Sequence, residues 1–195
     1  MDNSKKSEPG GGSPIYPGLR RPVFFLLVGA LLTADLLTKW WAFTAVGLGQ
    51  QKPLVGSWLS VYCLTNPGAI WGLGQHMTIP LTLVRIGAVG VLLFFIYRQP
   101  KSNRFGLFVL GLLLGGALGN LYDNLSPWMP WPGDGHVRDF VMVYFQEPAW
   151  WPGFLAWPFD PWPIFNLADS CIFGGFLLLL TGAAHLGLKR QPVAG

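Results

Sequence analysis

The chain has 195 residues, of which 51% are hydrophobic and 11% charged, against roughly 25% charged in an ordinary soluble domain. Its formal net charge of +4 is spread without a basic stripe, which excludes a nucleic-acid surface. Cys63 and Cys171 stand far apart with no CxxC spacing, and His76, His136 and His185 match no ligand pattern, so no disulfide framework, metal centre or cofactor is expected.

Residues 1–21 are rich in Gly, Ser, Pro and charge and read as a disordered tail whose Lys and Arg touch anionic headgroups. Crossing roughly 30 Å of hydrocarbon takes about 20 apolar residues, and four stretches supply them: 22–41, 78–97, 105–124 and 164–188. The first exceeds a signal-peptide core and carries Asp35 and Lys39 near its end, so it is expected to stay uncleaved. In the loop that follows, Trp58 to Thr65 is β-branched and aromatic and predicts a short strand. The third stretch spaces Gly111, Gly115 and Gly119 four apart, a small-residue face for close helix packing. The segment Pro127 to Pro163 is crowded with Trp128, Trp131, Trp150, Trp151, Trp157 and Trp162 and broken by prolines. Helix and long strand are both disfavoured there, and the tryptophans place it at the headgroup level. The expected fold is an all-α integral membrane protein: one four-helix domain over 22–188, a short tail 189–195, and a small β-rich cap from the two long loops.

Lys and Arg orient the domain. Lys5, Lys6, Arg20 and Arg21 precede the first span, Arg98, Lys101 and Arg104 fill the short second loop, and Lys189 and Arg190 close the chain, nine of the thirteen basic residues. Positive-inside asymmetry predicts both termini in the cytoplasm and both long loops outside.

Ionisable groups inside a span cost about 2.5 to 3.5 kcal/mol on insertion scales, so each needs a reason. Asp35 and Lys39 lie four apart near the outer end of the first span; Asn120 with Asp123, and Asn166 with Asp169, lie three apart at the outer ends of the third and fourth. Each pair shares a helix face. All converge on one leaflet, with Asn66 and Asp139 in the loops above. Arg85, within the second span, is expected to snorkel outward or to pair with a carboxylate. Asp35 with Lys39 also reads as a structural ion pair, Asp169 as simple stabilisation of a helix start, and Asp123 as a carboxylate at an unfavourable helix end that needs a compensating donor. Two carboxylates close together in a low dielectric share a proton, so one activates water while the other protonates the scissile group. HExxH, GxSxG and P-loop patterns are missing from the sequence. Chemistry of this kind does not by itself choose Asp139 over Asp123. A small transporter also uses intramembrane carboxylates, but here they trace no path across.

Five segments carry a resemblance: Asp35-Leu-Leu-Thr-Lys39, Asn66-Pro-Gly-Ala-Ile-Trp-Gly72, Gly115-Gly-Ala-Leu-Gly-Asn-Leu-Tyr-Asp123, Val137-Arg-Asp-Phe140 and Phe165-Asn-Leu-Ala-Asp-Ser170. In order and content they resemble the motifs of lipoprotein signal peptidase, signal peptidase II. The resemblance implies a multi-pass aspartic endopeptidase of the bacterial inner membrane. Such an enzyme cuts prolipoproteins before the diacylglyceryl-modified cysteine at the extracytoplasmic leaflet, as a monomer among membrane lipids and without a cofactor. It assigns Asp139 and Asp169 to the catalytic pair, Asn66, Gly68, Asn120, Asn124 and Asn166 to substrate positioning, and Asp35, Lys39, Asp123 and Arg138 to structural polar roles. The chain departs from the family pattern in three places. Asn124 stands where an arginine ordinarily follows the third-motif aspartate, Pro67 follows Asn66, and Ile70-Trp71 replaces a small residue and Phe. These departures leave room for a relative that binds lipidated precursors without cutting them. Arg138 is the candidate substitute for the missing cation, although neighbours in an extended segment point to opposite faces. The long Trp- and Pro-rich loop is expected to form an interfacial lid that includes Trp150 to Pro158.

Overall fold

A computed structural model describes residues 22–67, 78–100, 103–130, 133–144, 161–184 and 186. Both tails, Gly68 and the segment Trp150 to Pro158 lie outside the described residues. Four helices, α1 (Pro22–Ala45), α2 (Thr78–Arg98), α3 (Arg104–Leu125) and α4 (Leu167–Leu180), and three strands, β1 (Gln51–Val55), β2 (Leu59–Asn66) and β3 (Val137–Val143), follow in the chain order α1-β1-β2-α2-α3-β3-α4.

Pro22 opens α1, where its fixed φ suits the first turn and its missing N–H costs no bond. Asn103 caps α3, its side-chain oxygen accepting from the Gly106 N–H at 2.9 Å. α1, α2 and α3 are long and apolar enough to cross a membrane. The fourth helix is shorter than the expected stretch 164–188. It has 14 residues, about 21 Å at 1.5 Å per residue, short of the roughly 30 Å hydrocarbon. Local chemistry sets both ends. Asn166 and Asp169 form a reciprocal capping box that starts the helix after Pro163. At the other end Gly182, at φ +70°, turns the chain into the left-handed region where the backbone bonds back to Leu179 and Leu178.

α3 is the central helix and packs against α1, α2 and α4. The glycine face explains the close approach. A side chain at Gly111, Gly115 or Gly119 would run into Leu27, Leu31 or Asp35 of α1, and one at Gly116 into the backbone of Ala168 at the start of α4. Phe24, Val28, Ile96, Leu107, Leu110 and Leu114 fill the core among α1, α2 and α3. α2 leaves most of its length uncovered, as a lipid-facing helix does.

The strands form one antiparallel sheet in the order β1-β2-β3. β2 realises the strand expected from Trp58 to Thr65. β3 departs from expectation, since a seven-residue strand lies inside the segment read as unsuited to a long one. Prolines stop at Pro132 and resume at Pro148, and the intervening Val-Arg-Asp-Phe-Val-Met-Val is β-favouring. The sheet is seated on the end of α1 through a second core of Ala42, Val61, Cys63 and Phe140.

Candidate active site

Three local facts deliver the polar residues to one place. In the β2–β3 register Asn66 faces Val137 and Leu64 faces Asp139, so Asn66 and Asp139 are diagonal neighbours on one sheet face. Phe165 pairs with the far edge of β3, exchanging backbone bonds with Val141 at 2.8 and 3.1 Å. That pairing carries the next residue, Asn166, up to Asp139. The capping box then fixes Asp169 one turn further on, within reach of Asn120 at the end of α3.

Two carboxylate groups result, and their partners differ in kind. Lys39, wholly buried, places its ammonium 2.7 Å from Asp35 Oδ2 and 2.8 Å from Asp123 Oδ2, and donates to Asn120 Oδ1 at 3.2 Å. Asp35 also accepts from the Ala168 N–H at 2.9 Å, tying α1 to the start of α4. Arg138 donates to Asp123 Oδ1 from Nε and Nη2 at 2.9 and 2.7 Å, and its backbone N–H donates to Oδ2 at 3.1 Å. Asp123 thus receives the donors that a carboxylate at a helix C-terminus requires. Asp35 and Asp123 are balanced in charge by Lys39 and Arg138.

Asp139 and Asp169 have neutral partners. Asn166 Nδ2 donates to Asp139 Oδ1 at 2.7 Å, Asn66 Nδ2 to Asp139 Oδ2 at 3.2 Å, and Asn120 Nδ2 to Asp169 Oδ1 at 2.7 Å. Asn166 bridges the two acids, because its backbone N–H donates to Asp169 Oδ2 at 3.1 Å while its side chain holds Asp139. Asn120 Oδ1 accepts from Asn166 and from Lys39, linking both acids to the buried cation network. Asp139 is 3% exposed. Burial, and secondarily the Asp169 charge, push its carboxyl up to about 7, against the pull of its two amide donors and Lys39. An acid in that range holds or releases a proton near neutrality, which acid–base chemistry demands.

Asn124 and Arg85 complete the site. Arg138 is committed to Asp123, so its contacts do not put it in the place of a cation at position 124. Instead Arg85 reaches from α2 and its Nη1 donates to Asn124 Oδ1, an amide where a carboxylate or the headgroups were expected. Asn124 Nδ2 donates to the Gly135 carbonyl at 2.9 Å. The signal was legible in part: an antiparallel α2–α3 hairpin sets Arg85 about two turns deeper than Asn124, a distance that a long side chain covers by snorkelling. Among the described residues no group of three or more His, Cys, Asp or Glu is arranged to hold a metal ion.

Apolar helices capped at one end by a small sheet, with buried carboxylates beneath it, define a multi-pass membrane protein with a polar site at one end of its helices. Residues 27–184 match the family described as signal peptidase (SPase) II. The chain is 38% identical to the lipoprotein signal peptidase of Rhodococcus jostii over 92% of its own length and 82% of the relative's. It is 30% identical to that of Geobacillus thermodenitrificans, over 91% and 98%. With the Mycobacterium tuberculosis protein of the same name it shares 35% identity, over 88% and 76%. A solved bacterial membrane enzyme structure, obtained by the in meso method at 2.3 Å resolution, shares the fold with a TM-score of 0.68 at 23% identity, over 92% of this chain and 100% of that one. The chain belongs to the signal peptidase II family.

Proposed function

We propose that this chain is an intramembrane aspartic endopeptidase that removes the signal peptide from bacterial prolipoproteins, cutting before the diacylglyceryl-modified cysteine. The reading is carried by one observation: Asp139 and Asp169 are bridged by Asn166 and bonded to neutral amides, while the other two acids are engaged by Lys39 and Arg138. An acid held by cations is a poor proton donor; one held by amides beside a second carboxylate can share a proton with it.

The dyad works with one proton between its two acids. The ionised member removes a proton from water, whose oxygen attacks the scissile carbonyl, while the protonated member gives its proton to the carbonyl oxygen. The resulting tetrahedral diol collapses. The first acid returns its proton to the leaving nitrogen, one diol hydroxyl returns its proton to the second acid as the carbonyl re-forms, the C–N bond breaks, and the cysteine amine is released together with a new carboxyl terminus. Asn66, Asn120 and Asn166 keep the two acids oriented through the cycle. Which acid is base is a property of the coupled pair. Positive-inside asymmetry supports a sheet end at the extracytoplasmic leaflet of the inner membrane, where a lipid-anchored substrate presents its scissile bond. Gly68 belongs to the same reading as a substrate contact, and the chain works as a monomer.

A gel-shift cleavage assay with a diacylglyceryl-modified prolipoprotein, run on wild type, Asp139→Asn and Asp169→Asn, tests the proposal. Cleavage by wild type alone is the expected result. Binding without cleavage in wild type would make the chain a non-cutting relative, and carboxylate-dependent proton flux in proteoliposomes would favour a transporter.

A further inference from the structure

We infer that Arg85, aimed by Asn124, is a substrate-positioning residue whose guanidinium takes a neutral carbonyl oxygen of the bound lipopeptide beside the scissile bond. The identity of the ligand rests on the peptidase reading; the placement of the cation does not. Arg85 is half-buried in α2, and its bonded partner among the described residues is Asn124. A guanidinium has five N–H donors in a fixed fork, so most of its bonding capacity is uncommitted among the described residues. It makes no ion pair among the described residues.

Charge accounting selects the ligand. Lys39 and Arg138 balance Asp35 and Asp123. The dyad with one proton carries a single negative charge, and Arg85, bonded to the residue that follows Asp123, is a cation of the site that no carboxylate engages among the described residues. An anionic ligand at Arg85 would meet the charge of the dyad, whereas a neutral carbonyl accepts a charge-assisted bond without adding charge. Asn124 orients the cation. Its Nδ2 is held by the Gly135 carbonyl, so its Oδ1 must turn toward α2, and Arg85 is drawn to the acceptor that results. Asn124 also lines a cleft of about 400 Å³ between the outer ends of α2 and α3, whose other walls include Ile79, Leu83, Leu125 and Trp128. An apolar cleft with a cation beside it suits a hydrophobic ligand that carries a carbonyl.

The carbonyl has two sources, the peptide main chain and the acyl ester, and the test separates them. In the non-cutting Asp139→Asn background, binding is measured in detergent micelles for a fluorescent lipopeptide bearing an S-diacylglyceryl cysteine and for its ether-linked dialkyl analogue. Removing a charge-assisted hydrogen bond is expected to weaken binding about tenfold or more in Arg85→Ala, with partial recovery in Arg85→Lys. Asn124→Ala is expected to weaken binding in the same direction and to add little to Arg85→Ala, since the two act as one unit. A loss seen with both ligands assigns the peptide carbonyl; one confined to the diacylglyceryl ligand assigns the ester. Melting temperatures of all variants, with Arg85→Gln as a gentler replacement, separate a lost contact from a lost fold. Unchanged binding in a folded Arg85→Ala or Arg85→Gln protein overturns the inference. If wild type fails to cut while Arg85→Ala still loses binding, the peptidase reading falls and the placement of a ligand carbonyl at Arg85 stands. If wild type cuts and Arg85→Ala keeps its KM and its affinity, the inference alone falls.

Discussion

Replacing Lys39 by methionine keeps the apolar stem and removes the ammonium that holds Asp35 and Asp123 at 2.7 and 2.8 Å. An exposed pair of this kind contributes under about 1 kcal/mol, but here Asp35 is 1% exposed and Asp123 and Lys39 are fully buried. Breaking a buried pair from one side leaves an uncompensated charge and costs about 3 to 5 kcal/mol. Asp123 retains Arg138, so the loss falls mainly on Asp35, which keeps only the Ala168 N–H among its hydrogen bonds. We expect Lys39→Met to destabilise by about 3 kcal/mol, roughly a 150-fold change in the folded-to-unfolded ratio. The double variant Lys39→Met/Asp35→Asn should recover more than half of that, because the orphaned charge is gone. Tryptophan-monitored unfolding in mixed micelles measures both. A loss below about 1 kcal/mol, or a double variant no more stable than the single, would refute the view that Lys39 acts as a buried counter-charge.

Asp139 makes stability depend on pH in a definite direction. Its folded-state value of about 7 lies above the ordinary 3.8, so the folded state binds the proton more tightly, and the associated stability, present below about pH 4, is lost as pH rises through about 7. Asp139→Asn should therefore gain on wild type across that window in a melting series, and parallel curves would count against it. Cleavage should fall above about pH 7 as the shared proton leaves, about tenfold per unit, in a kcat/KM profile. Gly119→Ala should displace Asp35 and lower stability by about 1 to 3 kcal/mol, while Gly90→Ala on the open face of α2 should be neutral or mildly stabilising, both read from unfolding midpoints. Asn166→Ala removes an N-cap and the bridge between the two acids together, so stability should drop by about 1 to 3 kcal/mol and turnover should drop more than in Asn66→Ala.

Much of this protein is legible along the chain because its determinants are local. Apolar runs of about 20 residues must form helices in hydrocarbon, where no water can satisfy the backbone, and α1, α2 and α3 lie within a few residues of the expected stretches. The glycine face of α3 and the N-x-x-D spacings also announce themselves, since helical periodicity alone puts those residues on one face. The limits of α4 were less legible, because hydropathy registers apolar length and not the capping box and the Gly182 turn that bound the helix. β3 was hidden by the prolines and tryptophans around it, and its pairing with β2 and Phe165 is non-local.

Roles of the carboxylates divide along the same line. Their presence at one end of the bundle follows from sequence position, because ionisable groups cannot be scattered through a membrane without cost. Which of them meets cations and which meets amides does not follow, since it is decided by contacts between residues far apart in the chain, such as Lys39 with Asp123, Asn66 with Asp139 and Arg85 with Asn124. A carboxylate's proton affinity is set by what surrounds it rather than by what precedes it. The sequence by itself determined a membrane bundle with its acids gathered at one end; only the tertiary structure separated Asp139 from Asp123, by giving one of them amides and the other cations.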